Sequence, residues 1–497
     1  MTIPSGVRAP ASPAQPSLGG GIGRGAEPPS EDLWEETELL RGPAYRESLL
    51  GRTVSVVGLA RSGVAACLLL RRLGAVVLAS DAKSRSALDR AALALEAEGV
   101  RLSAGGHPAE AFRGAQLVVV SPGVPTDLPA LQELRRAGVP VIGELELAWR
   151  VMEAQVIAIT GTNGKTTTTA LTGALLREQI RPVLVAGNIG TPLSAHALTF
   201  PRDGIVVAEV SSFQLETMEI FHPRVAAILN LTPDHLDRHG TFERYVEAKA
   251  RVFANQTDAD CTVLNADDPA TAALARRTPG RVVWFSRTKP LDHGVFCADG
   301  WIVAKLNGDV EQICPVSEVF LRGAHNLENV LAATACSLWT GVAAEPLRRA
   351  IRLFRGVEHR IEWVRDLQGV AYYNDSKGTN VASTIKALES FSEPLILIAG
   401  GRGKGQDFTS LGAAARGRVR RAVLIGEDRE KILRGLGPGI PPAFAQSMEE
   451  AVRMARAASR PGDVVLLSPA CASFDMFENF EHRGAAFKAA VLALGEG

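Results

Sequence analysis

Residues 156–169 read V-I-A-I-T-G-T-N-G-K-T-T-T-T, and their types point to phosphate chemistry. Four apolar residues, Val156 to Ile159, read as a buried strand. Gly161 and Gly164 then bracket a short loop, and Lys165 to Gln179 reads as a helix. A strand, a glycine turn and a helix start make an anion site, because unpaired backbone N–H groups and the helix dipole face the phosphate. In this reading Lys165 reaches the terminal phosphates and the Thr166 hydroxyl ligates Mg²⁺. The usual pattern places four residues between its glycines, whereas Gly161 and Gly164 enclose only Thr162 and Asn163. An ordinary glycine turn is the alternative, disfavoured by the in-register Lys-Thr pair and the apolar strand before it.

Other chemistry-bearing residues fall where apolar runs end. Glu209 closes I-V-V-A-E-V (205–210), the place for a metal-holding carboxylate of a nucleotide enzyme. A surface carboxylate at a strand end is the alternative. His235 lies in N-L-T-P-D-H-L-D. A lone histidine is more often structural, but a position beside a Mg²⁺ site favours a ligand role, although hard Mg²⁺ prefers oxygen. Lys249, in Y-V-E-A-K-A-R-V-F, reads by periodicity as a solvated helix charge. In N-D-S-K-G-T-N (374–380), Asp375 could accept from a ribose while Lys377 and Thr379 bind anions. G-G-R-G-K-G (400–405) offers backbone N–H groups and Lys404, and S-P-A-C-A-S-F-D-M-F-E-N-F-E-H-R-G (468–484) follows a further strand. Three such clusters suit a small carboxylate-bearing substrate held by charge-assisted hydrogen bonds.

The elements that must position these residues are alternating strands and helices. Residues 1–48 are Pro-, Gly- and Ser-rich and are expected to be a disordered tail, with a short helix near Glu31–Leu40. Order is expected from Arg52. T-V-S-V-V (53–57) is a strand, G-L-A-R-S-G a turn, Val64 to Leu73 a helix, and A-V-V-L-A a second strand leading to Asp81. This is a βαβ unit with an acid about twenty residues past its glycines, as in dinucleotide-binding domains. Ala60 replaces the glycine that lets the backbone approach a pyrophosphate, which argues against NAD and for another nucleotide-bearing ligand. Further strands are expected at 117–120, 183–186, 205–210, 225–231, 370–374, 394–400, 421–426 and 463–469, with long helices from Gly323 and from about Phe477 to the end. Asn326 and Asn329 share one face of the former at i, i+3. The expected fold class is α/β in three consecutive domains: Rossmann-like N-terminal (49–149), a P-loop domain with a central parallel sheet (150–356), and Rossmann-like C-terminal (357–497).

Composition agrees with three packed domains. The 497 residues are 46% hydrophobic, with 54 basic and 54 acidic side chains, so no global field favours nucleic acid or anionic lipid. No segment approaches a transmembrane span. The six cysteines contain no C-x-x-C pair and read as free thiols in a reducing cytosol. A cytoplasmic protein is expected.

T-G-T-N-G-K-T-T, G-N-I-G, E-V-S-S-F-Q-L-E, D-H-L-D-R-H and H-N-L-E-N together resemble the ATP-dependent Mur ligase family of peptidoglycan synthesis. N-D-S-K-G-T-N and the 468–484 stretch look like its D-glutamate-adding branch, with Gly378 and Glu478 standing where alanine and lysine are common. The resemblance covers residue 50 to the end. It implies a UDP-substrate site from Arg61, Ser62, Asp81 and Ser121, with Asn188 at the sugar-peptide end. It places ATP phosphates on Thr162, Asn163, Gly164, Lys165, Thr166, Thr167 and Thr168, adenine near Asn326 and Asn329, and Arg360 and Asp375 on the nucleotide. Thr166, Glu209 and His235 would organise two Mg²⁺ ions, with Lys249 carbamylated by CO₂ to support the second. D-glutamate would be held by Lys377, Thr379, Lys404, Ser473 and the backbone at Phe480.

The implied reaction phosphorylates the carboxylate of UDP-N-acetylmuramoyl-L-alanine and lets D-glutamate displace the phosphate, with the third domain closing onto the second to exclude water. A monomer is expected. A folylpolyglutamate-type or other Mur ligase, and an ATP-switched binding protein, are the alternative readings.

Overall fold

The computed structural model describes residues 41–495 apart from 180, 307 and 404. The expected tail and its helix near Glu31–Leu40 lie outside the described residues, as does Lys404.

The first sheet contains β1 (Thr53–Val57), β2 (Val76–Asp81), β3 (Arg101–Ala104), β4 (Leu117–Val120) and β5 (Val141–Gly143). Its order is β3-β2-β1-β4-β5 and all neighbours are parallel. Parallel neighbours require crossovers, which are supplied by helices such as Arg61–Arg72 and Pro129–Arg136. The strand order reverses between β1 and β4, so the turn after β1 faces the crevice where open sheets bind ligands. That turn is tight: Gly58 has φ +87°, and a Cβ at Gly63 would lie 1.8 Å from the Gly58 carbonyl oxygen.

Order begins earlier than Arg52. Gly42–Ser48 is a helix, with Tyr45 and Leu49 buried. Arg41 Nη2 donates to the Ala154 carbonyl (2.7 Å) and Arg46 Nε to that of Val151 (2.8 Å), capping the end of helix Glu144–Val151. A seven-residue helix with one aromatic anchor is hidden when composition is averaged over a long polar stretch.

The second sheet has nine strands: β6 (Gln155–Thr160), β7 (Val183–Gly187), β8 (Ile205–Glu209), β9 (Val225–Ile228), β10 (Cys261–Asn265), β11 (Arg281–Ser286), β12 (Gly294–Ala298), β13 (Trp301–Leu306) and β14 (Asp309–Pro315). The order is β14-β13-β12-β11-β10-β9-β6-β8-β7. It is parallel from β7 to β12, while β13 and β14 add an antiparallel edge, so the central sheet is mixed rather than wholly parallel. Helices Lys165–Leu176 and Ala324–Trp339 pack against each other on one face. On the other face the core runs without interruption into the first sheet through Trp149 and Phe221, whose rings meet edge-on at 5.9 Å.

The third sheet, β15 (Glu362–Leu367), β16 (Val370–Asn374), β17 (Leu395–Gly400), β18 (Val419–Ile425), β19 (Pro442–Phe444) and β20 (Val464–Leu467), is ordered β15-β16-β20-β17-β18-β19 and is antiparallel only at β15. The final helix is Phe480–Leu492. It starts three residues later than its apolar pattern suggests because Asn479 caps it, accepting the His482 N–H at 2.7 Å. No described helix is long and apolar enough to cross a membrane.

Candidate active site

Sheet register brings the chemistry-bearing residues together. β6 lies between β8 and β9, with Ile159 opposite Glu209 and Thr160 opposite Ile228. Gly187, ending β7, is opposite Glu209 on its other side. The phosphate loop, Glu209, the segment from Gly187 and the loop carrying His235 therefore leave one edge of one sheet side by side. A cavity of 420 Å³ lined by Gln155, Arg224 and Trp339 sits at the opposite end of β6 and has no part in this convergence.

The loop is shaped by its two glycines. Gly161 has φ +145° and Gly164 φ +82°, and a Cβ on Gly164 would lie 2.1 Å from Asn329 Oδ1. Asn329 Oδ1 also accepts from Thr168 Oγ1 (3.2 Å), and its Nδ2 donates to Asn326 Oδ1 (3.1 Å). Both asparagines are buried. Asn329, expected near adenine, backs the phosphate loop, and Asn326 braces it by donating to the Arg322 carbonyl at 2.7 Å. Thr162 and Asn163, expected on the phosphates, have their N–H groups taken by Asn230, at 2.9 Å through its carbonyl and 2.8 Å through Oδ1. The Thr162 hydroxyl meets Tyr245 (3.0 Å) and the Thr232 carbonyl (3.1 Å). The donors left facing outward are those of the first helical turn, from Gly164 to Thr167. Lys165 Nζ folds onto the carbonyls of Gly161 (2.8 Å) and Thr162 (2.7 Å), and burial lowers its pKa.

Lys249, in helix Phe242–Ala250, is buried rather than solvated. Its Nζ donates to the Gly161 carbonyl (2.9 Å) and approaches Thr160 Oγ1 (3.4 Å) and the Tyr245 ring (4.7 Å). Burial, then the neighbouring Lys165 charge, hold its pKa well below the ordinary lysine value. Glu209 is 3% exposed; Oε1 accepts from Asn188 Nδ2 at 2.7 Å, and Oε2 is buried with no hydrogen-bond partner among the described residues. A buried carboxylate oxygen left open beside the Thr166 hydroxyl's helix start suits a hard cation, so these residues fit Mg²⁺. His235 is half-exposed, with φ +51°, its ring 4.9 Å from that of Phe213 and its Nε2 3.6 Å from Asp234 Oδ2.

The third sheet contributes from the facing side. Arg360 lies between two residues in the left-handed region, His359 (φ +63°) and Ile361 (φ +46°), and its Nε is buried with no hydrogen-bond partner among the described residues. Strain of this kind persists where surroundings over-determine it. The Arg360 charge bears on Lys165, Lys377 and Asp375, so it bridges the second and third sheets' sites. Burial lowers the Lys377 pKa, and Glu209 and Lys165 also act on it. Asp375 accepts from Ser468 Oγ (2.7 Å), and burial pushes its carboxyl up to about 7. At Gly378 a Cβ would meet Asp375 Oδ2 at 2.6 Å and Ser468 Oγ at 2.9 Å, which accounts for glycine where the resemblance expects alanine.

The loop of Thr379 is tied to that of Ser473 by Ala470 N–H to the Gly378 carbonyl (2.9 Å) and to the 400–406 loop by Val381 N–H to Gln406 Oε1 (3.2 Å). Phe480 accepts at its carbonyl from Ser376 Oγ (2.8 Å), and its ring lies 5.8 Å from Lys377 Nζ. Arg483, within the quoted C-terminal motif but given no role from sequence, joins these loops. Its guanidinium is 1% exposed and donates to the carbonyls of Ser376 (2.8 Å) and Cys471 (3.0 Å) and to Ser376 Oγ (3.0 Å). Glu358, His359 and Glu362 have metal-ligating proximity, but Lys488 Nζ already pairs with both carboxylates at 2.9 and 2.6 Å.

In the first domain, Asp81 spends its carboxylate on shaping the turn: Oδ2 accepts from Leu59 N–H (2.6 Å) and Oδ1 from Lys83 N–H (2.8 Å). Ser121 Oγ donates to the Gly58 carbonyl at 2.7 Å. Ser62 lies in the first turn of the following helix, and Arg61 reaches across to donate to the Gly190 carbonyl. Asn230 and Tyr245, which sequence reasoning missed, carry no charge; their only signal was membership of N-L-T-P-D-H and of the Y-V-E-A-K stretch that holds Lys249.

Three family domains match in series: the MurD-like N-terminal domain of Mur ligases over residues 52–143, the Mur ligase middle domain over 159–337, and the Mur ligase glutamate ligase domain over 359–471. Similar curated proteins include the UDP-N-acetylmuramoylalanine–D-glutamate ligases of Acidobacterium capsulatum (50% identical, covering 90% of this chain and 97% of that protein) and Koribacter versatilis (47%, 90% and 98%). Among solved structures, UDP-N-acetylmuramate–alanine ligase from Thermotoga maritima aligns with a TM-score of 0.55 at 20% identity, over 89% of this chain and 99% of that one, and so shares the fold. The chain belongs to the Mur ligase family.

Proposed function

We propose that the chain is an ATP-dependent amide ligase, joining D-glutamate to UDP-N-acetylmuramoyl-L-alanine through an acyl phosphate in the cytoplasm. The observation that carries this reading is the Glu209 oxygen on the strand beside the phosphate loop, buried with no hydrogen-bond partner among the described residues, whose charge acts on Lys377 of the third domain together with that of Arg360. The names of the similar proteins support the substrates. Residues 49–149 bind the UDP substrate, 150–356 ATP and 357–497 the amino acid. One chain thus supplies every site, and a monomer suffices.

The N–H groups from Gly164 to Thr167 and Lys165 hold the ATP phosphates, and Arg360 adds positive charge from the opposite side. Thr166, Glu209 and His235 would hold Mg²⁺, with Lys249 contributing as a carbamate. Bound Mg²⁺ supplies Lewis-acid neutralisation of the phosphate oxygens. The alanine carboxylate attacks the γ-phosphorus, the bond to the β-phosphate oxygen breaks, and ADP leaves. The D-glutamate amine then attacks the acyl carbon, loses a proton, and inorganic phosphate departs as the C–O bond breaks. Lys377, Thr379, Ser473 and Lys404 orient the amino acid, and closure of the third domain keeps water from the acyl phosphate.

The test is an amino-acid panel with ATP and UDP-N-acetylmuramoyl-L-alanine, following phosphate and amide together. Amide formation with D-glutamate alone is expected. Incorporation of another amino acid would overturn the specificity, and ATP turnover without either substrate would point to a switch rather than a ligase.

A further inference from the structure

Gly143 and Glu144 join β5 to helix Glu144–Val151, where the first domain meets the second. The Glu144 side chain is 2% exposed. Its Oε1 accepts the Ser194 N–H at 2.7 Å, while Oε2 is buried with no hydrogen-bond partner among the described residues. Ser194 closes the segment that begins at Gly187, opposite Glu209. Within that segment Asn188 grips Glu209 twice, N–H to carbonyl at 2.9 Å and Nδ2 to Oε1 at 2.7 Å. The same junction also braces the chain that continues beyond Glu209. Gly143 N–H donates to the Thr217 carbonyl at 3.1 Å, and a Cβ at Gly143 would lie 2.4 Å from Thr217 Oγ1. Both segments flanking Glu209 therefore rest on residues 143 and 144.

An apolar side chain would fill this place without the desolvation cost of a carboxyl. What only an acceptor can do there is take the Ser194 N–H. We propose that Glu144 is a positioning residue: through Ser194 it fixes the 187–194 segment, and through Asn188 it sets the Glu209 carboxylate so that one oxygen stays open to a divalent cation. Burial raises the pKa of Glu144, so its neutral form is favoured and an amide is its close mimic. Arg61, donating to the Gly190 carbonyl, ties the same segment to the first-domain turn, so the segment links the UDP-substrate crevice with the cation carboxylate.

The inference rests on the proposed function only for the role of Glu209. Its test is Mn²⁺ binding, measured by electron paramagnetic resonance of the free ion with ADP present, for the wild type, Glu144→Ala, Glu144→Gln and Ser194→Pro. The last removes the donor and leaves the acid. Supporting groups around a metal ligand typically alter affinity 10–100-fold when lost. The expected result is at least about tenfold weaker Mn²⁺ binding in Glu144→Ala and Ser194→Pro, with Glu144→Gln within about threefold of wild type. A folded Glu144→Ala that binds Mn²⁺ like wild type overturns the inference, as does a Glu144→Gln as weak as Glu144→Ala. Should Glu144→Ala not fold, wild-type affinity in Ser194→Pro overturns it equally. Failure of the proposed function shows separately, as wild-type protein that binds Mn²⁺ but forms no amide.

Discussion

Lys165 and Lys249 converge on one acceptor: both Nζ atoms donate to the Gly161 carbonyl oxygen, at 2.8 and 2.9 Å. Two ammonium groups so close cannot both be held cheaply in a buried place; both pKa values are lowered by burial, and Lys249, 2% exposed, is held well below the ordinary lysine value with the Lys165 charge adding to the effect. A neutral amine is the form that attacks CO₂, so the pairing supports Lys249 as the carbamylated residue.

Loss of that side chain should therefore be repaired by a carboxylate. Lys249→Ala is expected to lose about 10–100-fold in kcat, by the scale of supporting-group losses at metal sites. Adding a short carboxylic acid should restore part of it. Full activity without added acid would remove the carbamate from the mechanism.

Gly164→Ala combines a left-handed φ of +82° with a Cβ 2.1 Å from Asn329 Oδ1. Backbone strain alone costs about 1–3 kcal/mol. The loop must shift, and the donors of the first helical turn shift with it. Isothermal titration should show ATP affinity at least about tenfold weaker, that being the equivalent of ~1.4 kcal/mol. Asn329→Ala in the same background should recover part of it by making room.

Asp375 gives a pH signature. In the folded protein it keeps its proton up to about pH 7, whereas in the unfolded chain it loses it near the ordinary aspartate value of about 3.9. The folded state binds more protons across that window. Its contribution to stability is therefore fully present below about pH 4 and is lost as pH rises through 7. Urea titrations should show wild-type stability falling by about 2–4 kcal/mol relative to Asp375→Asn between pH 4 and pH 8.5. Parallel pH dependences in the two proteins would contradict this.

The strand-end residues were legible because apolar runs followed by polar clusters mark the carboxyl edge of a parallel sheet; Glu209 and Asp375 were found this way. Lys249 was not, since helical periodicity says nothing about which face a neighbouring sheet covers, and only the resemblance drew attention to it. Asn329 stands near the nucleotide base by its motif, and its contact with Gly164 could not be read, because it spans 165 positions that only the packing of two helices brings together. The β10–β14 region went unread because no candidate site motif marks its strand ends and β12–β14 pair antiparallel, outside the strand–helix alternation that guided the reading elsewhere. The helix at Gly42–Ser48 was invisible because its stability comes from carbonyls at residues 151–154, not from its own composition.

The most direct test follows oxygen. UDP-N-acetylmuramoyl-L-alanine labelled with ¹⁸O in the alanine carboxylate is incubated with ATP, D-glutamate and the protein, and the released phosphate is analysed by mass spectrometry. One labelled oxygen in each phosphate, with one amide formed per phosphate, is the predicted result. Phosphate released without label, or released equally when either substrate is omitted, would contradict it.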